Sequence, residues 1–454
     1  MRRLAALVAL AALTASGPAG AAPRLQFDSS IGVAEIPFQL YGNHIYIRGR
    51  VNDSDSLWIV LDTGASGASI SESKARSLGL AIAAGGTSHG AGGTVESGIV
   101  DGVSIHMPGL ELLDESLSSL PLDGIAVQSG RPMDVIVGHD LLSRAVVEID
   151  YAASRLRILD PSRFKSPDGV ASLPLTFKRN LPYVKASFTL PGRKPVEGVF
   201  VLDAGAATAL TLAPDMVERE HAIDAVPRTL RSRNGGVGGM VENRIGRIDR
   251  MKLGPYSIEA PIAVFRQPGP GAISAPGTAG NIGGEVLRRF TLTFDYRRER
   301  LWLVPNAALT DPFEADMTGL VTSPLPDSTR ALKVLWLQDD SPATDSGLAP
   351  DDVSEAGGGT PVAVSPPPTP PLRERSVLGT ASRAFSRSTT SGPSVSAVAA
   401  PASSTNTPST GLRPGSVNDA LTYGRFCLNR SGSDATPSGG WNLAGSMTRS
   451  LHAA

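Results

Sequence analysis

The chain carries one pattern twice. Residues 58–70 (WIVLDTGASGASI) recur as residues 199–211 (VFVLDAGAATALT), which puts Asp203 141 positions after Asp62 (203 − 62). Residues 88–100 (SHGAGGTVESGIV) recur as 234–246 (NGGVGGMVENRIG), and residues 135–159 recur as 280–304. Three blocks in one order at nearly equal separations define a duplicated lobe. The first copy spans residues 30–165 and the second residues 170–308.

Each copy reads as β-rich. Short apolar or alternating runs (57–61, 146–149, 156–159, 199–202, 292–294 and 301–304) are bounded by Gly, Pro, Asn and Asp. Helical patterns are short: 71–78, 141–144, 214–220 and 285–289. With 49 Gly and 36 Pro and only 5% aromatic residues, turns are favoured over long helices. The expected fold is mainly β: two pseudo-symmetric, antiparallel, barrel-like lobes facing across a cleft, a natural place to hold an extended ligand.

Within each lobe an apolar strand runs straight into Asp-x-Gly-Ala, at Asp62 and at Asp203. A carboxylate buried at a strand end is costly unless it is paired or hydrogen-bonded. Gly64 and Gly205, two residues on, permit a tight turn whose N–H groups can cradle the oxygens. Quasi-twofold symmetry would bring the two carboxylates together, and such a pair shares one proton. One member can then act as base on a water while the other protonates a carbonyl. Asp140 reads instead as a helix-start acid and Asp150 as a hairpin-turn residue. The G-x-S-x-G match around Ser88 lacks the strand-to-helix context of a nucleophile elbow.

These residues resemble the retropepsin-type aspartic proteases, in the fused two-lobe form found in secreted bacterial proteins. The resemblance rests on Val60-Leu61-Asp62-Thr63-Gly64-Ala65 and Val201-Leu202-Asp203-Ala204-Gly205-Ala206, with the return blocks Ile136-Val137-Gly138 and Asn281-Ile282-Gly283. It implies a catalytic pair of Asp62 and Asp203, supported by Thr63, Gly64, Ala65 and Gly205. It also implies substrate-covering flaps around Gly90, Gly92 and Gly93, and around Gly236, Gly238 and Gly239. The implied activity is hydrolysis of peptide bonds in a polypeptide substrate by a monomer, without metal or organic cofactor. Ala204 departs from the pattern, because the family usually has Thr or Ser there, bonding across the lobes. A non-catalytic, peptide-binding protein that keeps the two-lobed cleft is the alternative reading.

The remaining features set the context. Residues 1–21 read as a secretory signal peptide, with Arg2 and Arg3, an apolar run from Leu4 to Leu13 and an Ala-Gly-Ala end. That places the chain in the periplasm or outside the cell. The apolar run is too short to span a membrane. A net charge of −1 gives no basic field for nucleic acid, and one Cys with six scattered His offers no zinc pattern. Residues 315–362 resemble part of a PDZ domain through Gly319-Leu320 and the Ser341-Pro-Ala to Asp352 segment, although a hairpin extending the second lobe is also compatible. From residue 361 onward there are 17 Ser, 8 Arg, 3 acidic residues and no Lys. Residues 363–454 therefore read as a disordered tail, a composition change that a shifted reading frame would also produce.

Overall fold

The computed structural model describes residues 22–269, 271, 277–314, 318–325, 331–339 and 341–354, and four residues of a short hairpin, 356, 357, 360 and 361. The signal-peptide and tail readings lie outside the described residues. The described chain is mainly β, in agreement with the sequence.

Each lobe is organised around its Asp-bearing strand. In the first lobe the strand Leu57–Leu61 is buried at every position. It pairs antiparallel with His44–Val51 on one side and parallel with Val135–Val137 on the other. In the second lobe Val196–Asp203 lies between Leu181–Thr189, antiparallel, and Gly280–Gly283, parallel. The return strands Val135–Val137 and Gly280–Gly283 then pair antiparallel with Ser69–Ser71 and Leu210–Leu212, the strands that follow each Asp loop. Two further parallel pairings, Ser69–Ser71 with Leu110–Leu120 and Leu210–Leu212 with Ile262–Arg266, complete the pseudo-symmetry. The expectation of purely antiparallel lobes is corrected here. A run buried on both faces shows no alternation and can pair in either direction, as Leu57–Leu61 does.

A third sheet joins the lobes. Its order is Ser172–Pro174, Arg300–Pro305, Phe290–Asp295, Val146–Asp150, Arg155–Leu159 and Val33–Pro37, so half its strands come from each copy. The seam is the antiparallel pair Val146–Asp150 with Phe290–Asp295, in register Val147 to Phe294 and Ile149 to Leu292. All four of those side chains are fully buried. The short helices His139–Leu142 and Gly284–Leu287 lead each copy into this seam. Each is followed by an equivalent arginine. Arg144 holds the buried Glu115 carboxylate, whereas the fully buried Arg289 donates to the carbonyls of Glu285, Ala308 and Asp311 and stacks on Phe313.

After the second lobe, Leu320–Pro324, Leu332–Leu337 and Val353–Ser354 form a separate three-stranded sheet. Among the described residues its strands make no ladder with the second lobe, so they do not extend that lobe's sheet as the hairpin alternative expected. The Ser323 hydroxyl donates to the Val127 carbonyl in the helix Asp123–Ser129 of the first lobe, and Asp339 pairs with Arg231 of the second lobe at 3.4 Å.

The seam makes a quantitative expectation. Ile149→Ala should cost about 2–5 kcal/mol, the range for deleting a buried branched side chain, and lower the urea midpoint of both lobes together. Loss confined to one lobe, or under ~1 kcal/mol, would show that the shared sheet does not couple them.

Candidate active site

Asp62 and Asp203 stand at the ends of their strands, each followed by a tight turn that the chain closes on itself. Ala65 N–H donates to the Asp62 carbonyl and Ala206 N–H to the Asp203 carbonyl, both at 3.2 Å. The Gly64 N–H donates to Asp62 Oδ1 at 2.7 Å. The two loops face each other so closely that a Cβ on Gly64 would fall 2.6 Å from Asp203 Oδ1. One on Gly205 would fall 2.4 Å from Asp62 Oδ1. The turn glycines are thus required by the opposite carboxylate as much as by their own turn. The two carboxyl groups lie within hydrogen-bonding reach of one another, half-buried in the floor between the lobes.

Thr63 locks the loops across the pseudo-twofold axis. Its hydroxyl donates to the Leu202 carbonyl and accepts from the Ala204 N–H, each at 2.8 Å. It is fully buried, as is Ala204. Ala204 has no hydroxyl with which to return these bonds, so the lock is one-sided.

A second lock is fully symmetric and was not foreseen. Asn43 and Asn180 occupy equivalent turns, both in the left-handed region at φ 64° and 66°. Asn43 Nδ2 donates to the Ala207 carbonyl at 2.8 Å, and Asn180 Nδ2 donates to the Ser66 carbonyl at 3.2 Å. Each asparagine therefore grips the residue four positions after the opposite aspartate. Asparagine suits this place because it tolerates positive φ and carries a donor. The signal was present in the repeat, where YGNHIY (41–46) parallels KRNLPY (178–183).

Two other polar groups reach Asp203 alone. Asn281 Nδ2 donates to Asp203 Oδ2 at 2.8 Å. The His44 ring faces Asp203 and bonds the backbone of Gly205, and burial lowers its pKa below the ordinary histidine value. The first lobe places Ile136 where the second has Asn281, the one polar residue in an otherwise apolar return block.

Electrostatics follows from this packing. Burial raises the pKa of Asp62 above the ordinary carboxylate range, and the neighbouring Asp203 charge adds to the rise, against the N–H groups of Gly64 and Gly205. Burial also raises Asp203, but Asn281, Asp62, His44 and the Gly205 N–H all favour its ionised form. Tyr296 faces Asp62 from the seam, and burial keeps its phenol protonated.

The predicted flaps are two hairpins that meet. One is formed by Ala83–His89 and Thr94–Met107, the other by Thr229–Gly236 and Gly239–Arg247. At the tips the Gly92 N–H donates to the Val237 carbonyl at 2.8 Å. Gly90 lies against Val237, Gly236 against Ala91, Gly92 against Gly239, and Gly238 against Gly93, with no room for a Cβ at any of the four contacts. Val237 also packs on the apolar cluster of Tyr46, Trp58 and Ile136, which Ala65 of the first Asp loop joins. The structure thus brings the predicted loop residues together in one place and the predicted flap residues together in another, with one apolar cluster touching both. A shallow groove of about 330 Å³, lined by Leu25, Phe27, Arg144 and Arg297 among others, shares no residue with either.

Comparison with known proteins finds a family match within the first lobe. Residues 47–141 match the sequence model of a family described as Aspartyl protease, a segment containing Asp62, the first flap and the return strand. No curated protein sequence matches the chain. Among solved structures, the aspartic proteinase from Irpex lacteus is similar at 12% identity, over 62% of this chain and 99% of that one, with a TM-score of 0.38. Residues 47–141 are thus similar to the aspartyl-protease family, and the internal repeat relates the second lobe to that segment.

The raised carboxyl pair makes the stability of the chain pH-dependent. A folded-state pKa above the unfolded value gives a contribution that is present at low pH and lost as pH rises through the interval between the two. Relative to the wild type, Asp62→Asn should therefore gain thermal stability progressively from pH 4 to pH 8, as followed by circular dichroism. A difference that does not change with pH would mean that Asp62 titrates normally.

Proposed function

We propose that the chain is an aspartic endopeptidase that hydrolyses peptide bonds with a water activated by Asp62 and Asp203. The observation that carries this reading is the mutual approach of the two Asp-x-Gly loops, each carboxylate resting on the glycine of the other. Like charges at that separation cannot both ionise, so the pair holds one proton over a wide pH range. Its ionised member accepts a proton from a water as the water oxygen bonds to the scissile carbonyl carbon. The protonated member donates to the carbonyl oxygen. Collapse of the tetrahedral diol breaks the C–N bond: the amine leaves with the proton of the protonated member, and one diol hydroxyl gives its proton to the ionised member, which restores the pair. No covalent intermediate with the enzyme is needed.

The touching flaps support a polypeptide substrate held in an extended form. Their backbone groups and the strand-rich walls can pair with a substrate main chain as an added strand does. Because both half-sites lie on one chain, the monomer suffices. The signal-peptide reading places this activity in the periplasm or outside the cell. Among the described residues no helix is long and apolar enough to cross a membrane. The segment 315–362 is proposed to be a partial PDZ-like module that follows the protease.

The test is digestion of an unbiased peptide library by the purified chain between pH 3 and pH 8, beside Asp62→Asn and Asp203→Asn. Cleavage should fall at least about 10³-fold in each variant with the fold retained, as expected when two groups act as a unit. Ala204→Thr should preserve or raise the rate by completing the inter-lobe lock. Binding of peptides without cleavage at any pH, by wild type and Ala204→Thr alike, would establish the non-catalytic alternative.

A further inference from the structure

The pseudo-twofold axis gives the two aspartates the same place in their strands, but not the same donors around them. Resting on the protease reading above, we propose that Asn281 is a positioning residue that holds the single negative charge of the pair on Asp203. Asp203 is then the base that takes the proton from water, and Asp62 is the acid that protonates the carbonyl.

The geometry is one-sided. Asn281 lies on the return strand Gly280–Gly283, opposite Val201 of the Asp-bearing strand, and is 3% exposed. Its Nδ2 is 2.8 Å from Asp203 Oδ2. At the equivalent place the first lobe has Ile136, opposite Val60, which offers Asp62 no donor. A donor aimed at one carboxylate of a pair favours the charge there, because hydrogen bonds to ionised acceptors are the stronger ones. The backbone works the other way, since the N–H groups of Gly64 and Gly205 both serve Asp62 and only that of Gly205 serves Asp203, so the side-chain donors at Asp203 must outweigh one N–H.

The other groups facing the pair add to the bias or leave it unchanged. His44, the first residue of the strand His44–Val51, faces Asp203 and favours its charged form. As histidine becomes cationic at acid pH, that preference grows. Tyr296, from the seam, faces Asp62, and its buried hydroxyl makes no hydrogen bond. It therefore offers Asp62 no competing donor. Asn281 Oδ1 is buried without a partner, so the carboxamide is held by the bond from its Nδ2.

The test uses the intact, substrate-free chain labelled with 13C at the aspartate carboxyl carbons. Signals are assigned by their loss in Asp62→Asn and Asp203→Asn, and followed from pH 4 to pH 8. The proposal expects the Asp203 carbon at a carboxylate shift while the Asp62 carbon stays at a protonated one. In Asn281→Ile, which copies the packing of Ile136, the two signals should converge. The first ionisation of the pair should also rise by about one to two pH units, matching the tenfold to hundredfold that a hydrogen bond to a charged acceptor is worth. Asn281→Ala gives the same reading if isoleucine disturbs the fold. In the exchange variant Ile136→Asn/Asn281→Ile the charge should move to Asp62. Wild-type charge on Asp62, or shifts unchanged by removing Asn281, would overturn the proposal. These readouts need no turnover. A polarised pair without cleavage therefore counts against the protease reading alone, and cleavage by an unpolarised pair counts against this proposal alone.

Discussion

Two carboxyl groups forced together in a half-buried floor impose the main constraint on this molecule. Burial raises both above the ordinary range, and their mutual repulsion leaves room for only one charge. The fold keeps this unfavourable arrangement by over-determining the loops that carry it. Gly64 and Gly205 let the carboxylates approach, Thr63 bonds both Leu202 and Ala204, and Asn43 and Asn180 each hold the opposite loop. Beneath them the six-stranded sheet, seamed by Ile149 and Leu292, makes it costly for the lobes to part.

Duplication provides symmetry, and a few substitutions then break it. Ala204 in place of a hydroxyl residue leaves Thr63 as the only side-chain lock of that kind. Replacing one hydroxyl bond costs about 1 kcal/mol of net hydrogen bonding, a loss that the symmetric asparagine bonds offset by fixing the same loops from another direction. Asn281 and His44 break the symmetry near the chemistry. Both lie beside Asp203, so that carboxyl group has side-chain donors, while Asp62 has backbone N–H groups and, at the place equivalent to Asn281, the apolar Ile136.

Much of this was legible in the sequence because the repeat doubled every weak signal. A single Asp-Thr-Gly is an ordinary strand-to-turn junction, but its recurrence beside recurring Gly-rich and return blocks located the loops, the flaps and the β-rich class. Strand direction was not legible, since Leu57–Leu61 is buried on both faces and reads the same either way. The bonds of Asn43 and Asn180 depend on which loop the other lobe places within reach, which no local pattern encodes. Asn281 was visible only as a polar residue in an apolar block. Its bond to Asp203 requires the parallel pairing of Gly280–Gly283 with Val196–Asp203, which no local pattern encodes.

The central claim is that the two loops form one proton-sharing site. A potentiometric proton count between pH 3 and pH 8 tests it most directly, comparing the wild-type chain with Asp62→Asn/Asp203→Asn. Ordinary aspartates have a pKa of about 3.9 and have released their protons by about pH 6. The account predicts that near pH 6 the wild type carries one proton per chain that the double variant lacks, released only at higher pH. Two protons released together in the ordinary carboxylate range would show that the aspartates titrate independently, and would contradict it.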